Sequence, residues 1–463
     1  MRLFLFLLFA TPFFVSAQPP SPIDGDWRGS IQIDGNELGI SLTFMSADGM
    51  VDGSIDIPQQ NAFNLPIDVT LLNADSLKFE FQTGTGTAEF SAPITRENPP
   101  AISGTFTQSG ASFPFSIERN DRVRSNNGSE LQENEISIEL DGHTLTGNLV
   151  SPASNAKSTL VIFASGSGSR DRNSSVAGFE IFKKLAELLS DHGYHSFRFD
   201  DRGVGKSTGD VDATLHELGD DLVGIANYFI NDHDSTFDHI LLLGHSQGGV
   251  TSSIAAQNLS LSGLVLMASP TMPGDQIINQ QVQKISEEQG VPDDIVEQNL
   301  EFQTRLYEVV REGSGWEEIE KDLEERLRAQ IDELPEVQRE ALGDMNDFIQ
   351  SQIDRQLEGS KSRWFKSFIE VDPGSFIADL DIPVLAIYGE KDSQVLPSPN
   401  ITALRELNRP YDTEIIEIQE VNHLFQTANS GMPGEYGMLD REFNEEFQQA
   451  LIDWLNSLVG VAD

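Results

Sequence analysis

Ile240-Leu241-Leu242-Leu243-Gly244-His245-Ser246-Gln247-Gly248-Gly249-Val250-Thr251 joins an apolar run, a tight turn bounded by glycines and the start of a small-residue helix. The run reads as a strand buried on both faces, as in a parallel sheet. Gly244 and Gly248 flank the serine because a Cβ at either position would strike the strand or the helix of so sharp a turn. The turn lifts the Ser246 hydroxyl clear of the sheet. Behind it, the helix N-terminus offers unpaired N–H groups and positive dipole to a developing oxyanion. The same G-x-S-x-G spacing recurs at Gly205-Lys206-Ser207-Thr208-Gly209, but that copy lies several residues beyond its strand and leads into Asp210-Val211-Asp212, not into a helix. Ser246 is therefore the nucleophile of choice. A phosphate-binding loop at Gly205-Lys206-Ser207 would need glycine at position 200, where Asp200 stands and would oppose a phosphate. Asp200, Arg202, Gly203 and Gly205 read instead as a stabilised turn after a strand.

A serine hydroxyl needs a base, and on a sheet of this kind the carboxylate and then the histidine follow the nucleophile in the chain. His423 is the only histidine after Ser246, in Glu420-Val421-Asn422-His423-Leu424-Phe425 beyond the last expected strand. For the carboxylate, Asp392 stands past the apolar run Val384 to Tyr388, at the sheet edge where catalytic groups gather. Its rivals are Glu390, which reads as a solvated loop charge, and Asp379, which precedes the strand. Asp392 would hold the Nδ1 proton of His423 without taking it. One oxyanion donor is the backbone N–H of Gln247. The second falls in Ser165-Gly166-Ser167-Gly168-Ser169-Arg170-Asp171-Arg172, with the Ser167 amide as the choice and Asp171 and Arg172 pairing locally.

Outward from these motifs, strands are expected at Thr159 to Ala164, His195 to Phe199, His239 to Leu243, Gly263 to Met267, Val384 to Tyr388 and Glu414 to Ile418. Helices are expected at Phe179 to His192, Leu215 to Ile230, Gly249 to Asn258 and Asp440 to Leu458. This alternation, from residue 136 to 463, calls for a largely parallel sheet with helices on both faces. Between Pro270 and Pro373 it gives way to heptad-like stripes, Ile319, Leu323, Leu327, Ile331 and Met345, Ile349, Ile353, Leu357, which mark a helical insertion at about 271–373. Residues 22–118 alternate with period two between closely spaced turns and read as a small all-β barrel or sandwich, in which Trp27 is either core or contact. Residues 119–135 read as a linker.

The chain has 463 residues, with 30 Lys+Arg against 74 Asp+Glu, a net charge of −44, and no cysteine. Such a charge repels phosphate backbones and anionic bilayers, so nucleic-acid binding is not expected. Without cysteine there are no disulfides, thiolate metal sites or Cys nucleophiles. No metal-ligand spacing or cofactor motif stands out. Arg2, the apolar run Leu3 to Phe14 and Val15-Ser16-Ala17 read as a signal peptide over residues 1–17, with export to a periplasm or the exterior and no membrane span after cleavage.

Taken together, Gly166-Ser167-Gly168 with Asp171-Arg172, the turn Asp200 to Ser207, the elbow at Ser246, Gly389-Glu390-Lys391-Asp392 and Asn422-His423-Leu424-Phe425 resemble the α/β-hydrolase superfamily, in particular exported bacterial serine esterases of the serine aminopeptidase-like group. The β domain is similar to one carried by some relatives. The resemblance implies an α/β-hydrolase fold whose helical insertion caps the active site, with Trp364, Phe365 and Phe368 as core of that cap or within reach of the site. It also implies a serine carboxylesterase acting on a small-molecule ester through an acyl-enzyme. An aminopeptidase or amide hydrolase with the same triad, and a non-catalytic binding protein on the same fold, are the alternatives.

Overall fold

A computed structural model describes residues 23–459, apart from 24, 34–35, 48–49, 58–61, 73–75, 84–85, 95–100, 109, 120–130, 232–236, 289, 333–338, 340–341, 343 and 412. Residues 1–17, expected from the sequence to be a signal peptide, lie outside the described residues. The chain divides into two compact units, Met1–Arg124 and Ser125–Asp463.

The first unit is a closed antiparallel barrel of eight strands: β1 (Gly25–Ile33), β2 (Asn36–Ala47), β3 (Met50–Ile57), β4 (Ala62–Leu72), β5 (Ser76–Thr83), β6 (Gly86–Pro93), β7 (Ala101–Gln108) and β8 (Ala111–Arg119). Closure comes from β1, which pairs with β2 on one side and with β8 on the other, and so removes both sheet edges. Alternate residues such as Leu77, Phe79 and Phe81 point inward, so the interior is filled by side chains. Phe79 stacks on Phe90 at 4.5 Å, and Phe90 meets Phe115 edge-on at 5.0 Å. Each such aromatic pair adds about 0.5–1.5 kcal/mol beyond its buried area. Trp27 belongs to this core: it is fully buried, its Nε1–H donates to the Ile23 carbonyl at 2.8 Å, and the Arg119 guanidinium lies 4.5 Å from its ring centre.

The second unit holds an eight-stranded sheet in the order β18-β17-β16-β15-β11-β14-β10-β9. Its strands are β9 (Gln132–Leu140), β10 (His143–Ser151), β11 (Thr159–Ala164), β14 (His195–Phe199), β15 (His239–His245), β16 (Gly263–Met267), β17 (Val384–Gly389) and β18 (Thr413–Ile418). β12 (Ser175–Val176) and β13 (Phe179–Glu180) form a separate short pair. From β14 to β18 the pairing is parallel, while β9 and β10 form an antiparallel hairpin at one end. The expected linker is thus too long: β9 begins at Gln132, because an edge strand that buries only Ile138 carries almost no apolar signal. Every residue of β11, β16 and β17 is buried, as a sheet covered on both faces requires. After β11 the chain moves to β14 on one side, then returns to β15 on the other. That reversal leaves a crevice at the carboxyl ends of β11 and β15, where open parallel sheets bind their ligands.

The helices are α1 (Ile181–Asp191), α2 (Leu215–Asn231), α3 (Gln247–Ala256), α4 (Gly274–Glu288), α5 (Asp293–Glu312), α6 (Trp316–Asp332), α7 (Met345–Ser360), α8 (Arg363–Glu370), α9 (Pro373–Ala378), α10 (Pro397–Glu406) and α11 (Glu445–Val459). Helices α4 to α8 form the insertion between β16 and β17. The expected stripes meet in its core: Ile319, Leu323, Ile331, Ile349, Ile353 and Leu357 are buried together, with Leu327 and Met345 packed against them. Among the described residues, no helix is long and apolar enough to cross a membrane.

Candidate active site

Ser246 sits between β15 and α3 with φ 54° and ψ −127°, a conformation that non-glycine residues rarely adopt and that marks stored strain. The flanking glycines are dictated by space. A Cβ on Gly244 would lie 2.2 Å from the Gly248 carbonyl oxygen, and one on Gly248 would lie 2.0 Å from that of Ala164. The Ser246 N–H donates to the Met267 carbonyl at 2.8 Å, which ties the elbow to β16. The loop after β11 passes directly over it, since a Cβ on Gly166 would stand 3.4 Å from the Ser246 Cβ.

Asp392 and His423 come together just beyond β17 and β18. The His423 Nδ1–H donates to Asp392 Oδ2 at 2.7 Å, and both side chains are buried. Asp392 Oδ1 is occupied by the backbone N–H groups of Gln394 at 2.8 Å and Val395 at 2.9 Å, so its remaining oxygen faces the imidazole. Asn422 shapes the histidine loop: its Oδ1 accepts from the N–H groups of Leu424 at 2.9 Å and Gln426 at 3.0 Å. The rival carboxylates are elsewhere. Glu390 is exposed and accepts from the Glu420 N–H, and Asp379 is exposed at the end of α9.

The link between this pair and the elbow is His245, the residue before Ser246. Its Nε2–H donates to the His423 carbonyl at 3.0 Å, and the two rings stand 4.9 Å apart. Burial, and then the neighbouring His423, push the His245 pKa down to about 3, so the ring stays neutral. Nothing in the sequence reading gave His245 a task, although its place beside the nucleophile was a usable signal.

Around the elbow, Gln247 is buried, and its Oε1 accepts the Trp364 Nε1–H of α8 at 2.8 Å. Of the three aromatics at the end of the insertion, Trp364 therefore reaches the residue after the nucleophile. It stacks on Phe368 at 5.3 Å, while Phe365 packs on the insertion's own core. Arg172 pairs with Asp200 at 2.6 Å and with Glu135 at 3.0 Å, and Asp171 accepts from the Asn173 N–H, so both act locally as expected. Asp200 also accepts the Lys206 N–H at 3.1 Å, and its carbonyl takes the Ser207 hydroxyl at 2.7 Å. Gly205-Lys206-Ser207 is thus a braced turn. Among the described residues no group of three or more His, Asp or Glu side chains is arranged to hold a metal ion.

A strained serine between strand and helix, with a buried carboxylate–imidazole pair beyond the next strands, is the arrangement of an α/β-hydrolase. Residues 159–426, more than half of the chain, match the alpha/beta hydrolase fold family, and the chain belongs to that family. It is similar to esterase EstD of Thermotoga maritima, 21% identical over 387 residues that span 82% of this chain and 81% of the relative. Solved structures similar to it include Est1E of Butyrivibrio proteoclasticus with bound ferulic acid, at 16% identity, TM-score 0.40, and coverage of 70% of this chain and 99% of that one. A proline iminopeptidase of Mycobacterium smegmatis aligns at 16% identity and TM-score 0.44, over 71% of this chain and all of that one.

Proposed function

We propose that this enzyme is a serine carboxylesterase working through an acyl-enzyme. Ser246 attacks the ester carbonyl, and His423 takes its proton through Nε2 and returns it to the departing alcohol. Asp392 fixes the tautomer and stabilises the imidazolium. The amides of Gln247 and Ser167 hold the tetrahedral oxyanion. Water, deprotonated by the same histidine, then releases the acid. One observation carries this reading: His245, the residue next to a strained serine, is hydrogen-bonded to the backbone of the Asp392–His423 pair. Similarity to EstD supports an ester as substrate. So do the carboxylates near the elbow, which are already engaged: Asp212 and Glu217 by α8, Asp221 by Arg202. An aminopeptidase would need one of them for a substrate ammonium.

The test is Ser246→Ala. Turnover of a p-nitrophenyl ester should fall about 10⁴- to 10⁶-fold, and labelling by a fluorophosphonate should disappear. Near-normal hydrolysis in that variant rejects the assignment.

A further inference from the structure

The loop that passes over Ser246 is held from outside by a group the proposed chemistry does not use. Asp201 follows β14, on the neighbouring strand. Its carboxylate accepts the Ser165 hydroxyl, 2.7 Å from Oδ1 and 2.9 Å from Oδ2, and the Arg170 N–H at 2.9 Å. The Asp201 N–H donates in return to the Arg170 carbonyl at 3.0 Å. Within the loop, Arg170 Nε–H donates to the Ser167 carbonyl at 3.1 Å, and Gly168 turns the chain with φ 88°. Ser165 and Arg170 bracket the segment that passes over the nucleophile, so one carboxylate grips both ends of the proposed oxyanion loop.

We infer that Asp201 is a positioning residue, whose ionised carboxylate sets the oxyanion loop in the conformation that aims its amides at the Ser246 carbonyl adduct. This rests on the esterase reading above. A neutral carboxyl would keep both partners only by reversing one bond, donating to the Ser165 hydroxyl while its other oxygen accepts the Arg170 N–H, and both bonds would lose the charge that strengthens them. Weaker bonds at Ser165 and Arg170 loosen both ends of the loop.

The surroundings make that change accessible near neutral pH. Burial pushes the Asp201 carboxyl up to about 7, against the Ser165 hydroxyl, the Arg170 amide and the Arg170 guanidinium, which hold it down, and with Asp221, which adds to the rise. The other charges on that side are spoken for: Arg202 pairs with Asp221, which also receives His143, and Asp200 on the far side is held by Arg172. A cavity of about 20 Å3, lined by Ser165, Asp201, Arg202, Gln247 and Thr251 among others, adjoins the carboxyl and has room for about one water.

The experiment compares wild type, Asp201→Asn, Ser165→Ala and Ser246→Ala on p-nitrophenyl butyrate from pH 5 to 9, with active sites counted by fluorophosphonate. Asp201→Asn should lower kcat about 10- to 100-fold at pH 8 with KM little changed, the size expected for misplaced oxyanion donors. The acid limb of its kcat/KM profile should reduce from two ionisations to one. Ser165→Ala removes a bond that holds the carboxyl down, so its second ionisation should move to higher pH. A fully labelled Asp201→Asn enzyme with wild-type kcat and an unchanged profile overturns the inference. If Asp201→Asn does not fold, Ser165→Ala decides alone, and an unmoved limb overturns it. Activity surviving in Ser246→Ala would instead defeat the esterase reading, a separate outcome.

Discussion

His245 shows how much one buried side chain can bind together. Its Nε2–H spans from the elbow to the His423 backbone, so any displacement of the ring moves base and nucleophile relative to each other. Its burial makes the site acid-sensitive, although that bond works the other way by favouring the charged ring. In the unfolded chain His245 regains an ordinary pKa near 6.5, whereas in the fold it is held down to about 3. Between those values the unfolded chain binds a proton that the folded one refuses, so this stabilising contribution is complete above about pH 6.5 and shrinks as pH falls toward 3. His245→Gln keeps an N–H donor and removes the titration. Its melting temperature should decline less steeply than that of wild type from pH 7 to pH 4, and an identical slope in both proteins would refute the assignment. In the sequence Ser246 and Asp392 stand out because each follows an apolar strand run, and His423 because no other histidine follows Ser246. Asp201 and His245 do not stand out, because their partners lie 31 to 178 residues away, and no local periodicity encodes such a bond.

At the scale of elements, α8 is the part of the insertion that meets the elbow. Ser362 caps it by accepting the Phe365 N–H at 3.0 Å, and Asp212 accepts the N–H groups of Arg363 and Trp364, each at 3.0 Å. Arg363 then reaches Glu217 at 2.6 Å. That carboxylate already closes a capping box on α2, accepting the Thr214 N–H while Thr214 accepts its own. The Arg363 hydrogen bond first, then the Thr214 N–H, draw the Glu217 carboxyl down to about 2. The pair is exposed to solvent, so it contributes little to stability and acts chiefly by orienting α8. Orientation matters because Trp364 stands over Gln247. Trp364→Ala should open space there, raising kcat/KM for long-chain over short-chain esters by about tenfold. An unchanged chain-length ratio would remove Trp364 from the substrate's path. The strands at Thr159 and Gly263 were legible to the residue, since fully buried parallel strands are continuous apolar runs, and the strand at His195 through its alternating Phe197 and Phe199. Helix starts were less so. Phe179–Glu180, read as helix, pairs with Ser175–Val176, and α11 begins at Glu445 because Asn444, not Asp440, caps it by accepting the Glu446 N–H at 2.9 Å.

Across the whole molecule, apolar side chains gather in separate cores. The barrel closes around Trp27, Phe44, Phe79 and Phe90, while the sheet unit buries Leu160, Ile162, Leu242 and Leu264 together. In the sequence this division is marked by the change from period-two alternation to alternating strands and helices. Every residue assigned to the proposed chemistry, from Ser165 to His423, lies in the unit Ser125–Asp463. That unit has its own core, its own completed sheet and the cap, which is what independent folding requires. Residues 125–463 produced alone should therefore melt in one cooperative transition and keep the greater part of the intact enzyme's kcat on a short-chain ester. A fragment that folds, labels with fluorophosphonate and yet turns over far more slowly than the intact enzyme would assign the barrel a part in catalysis. A fragment that fails to fold would make the barrel a structural requirement of the hydrolase unit, contrary to the separateness of their cores.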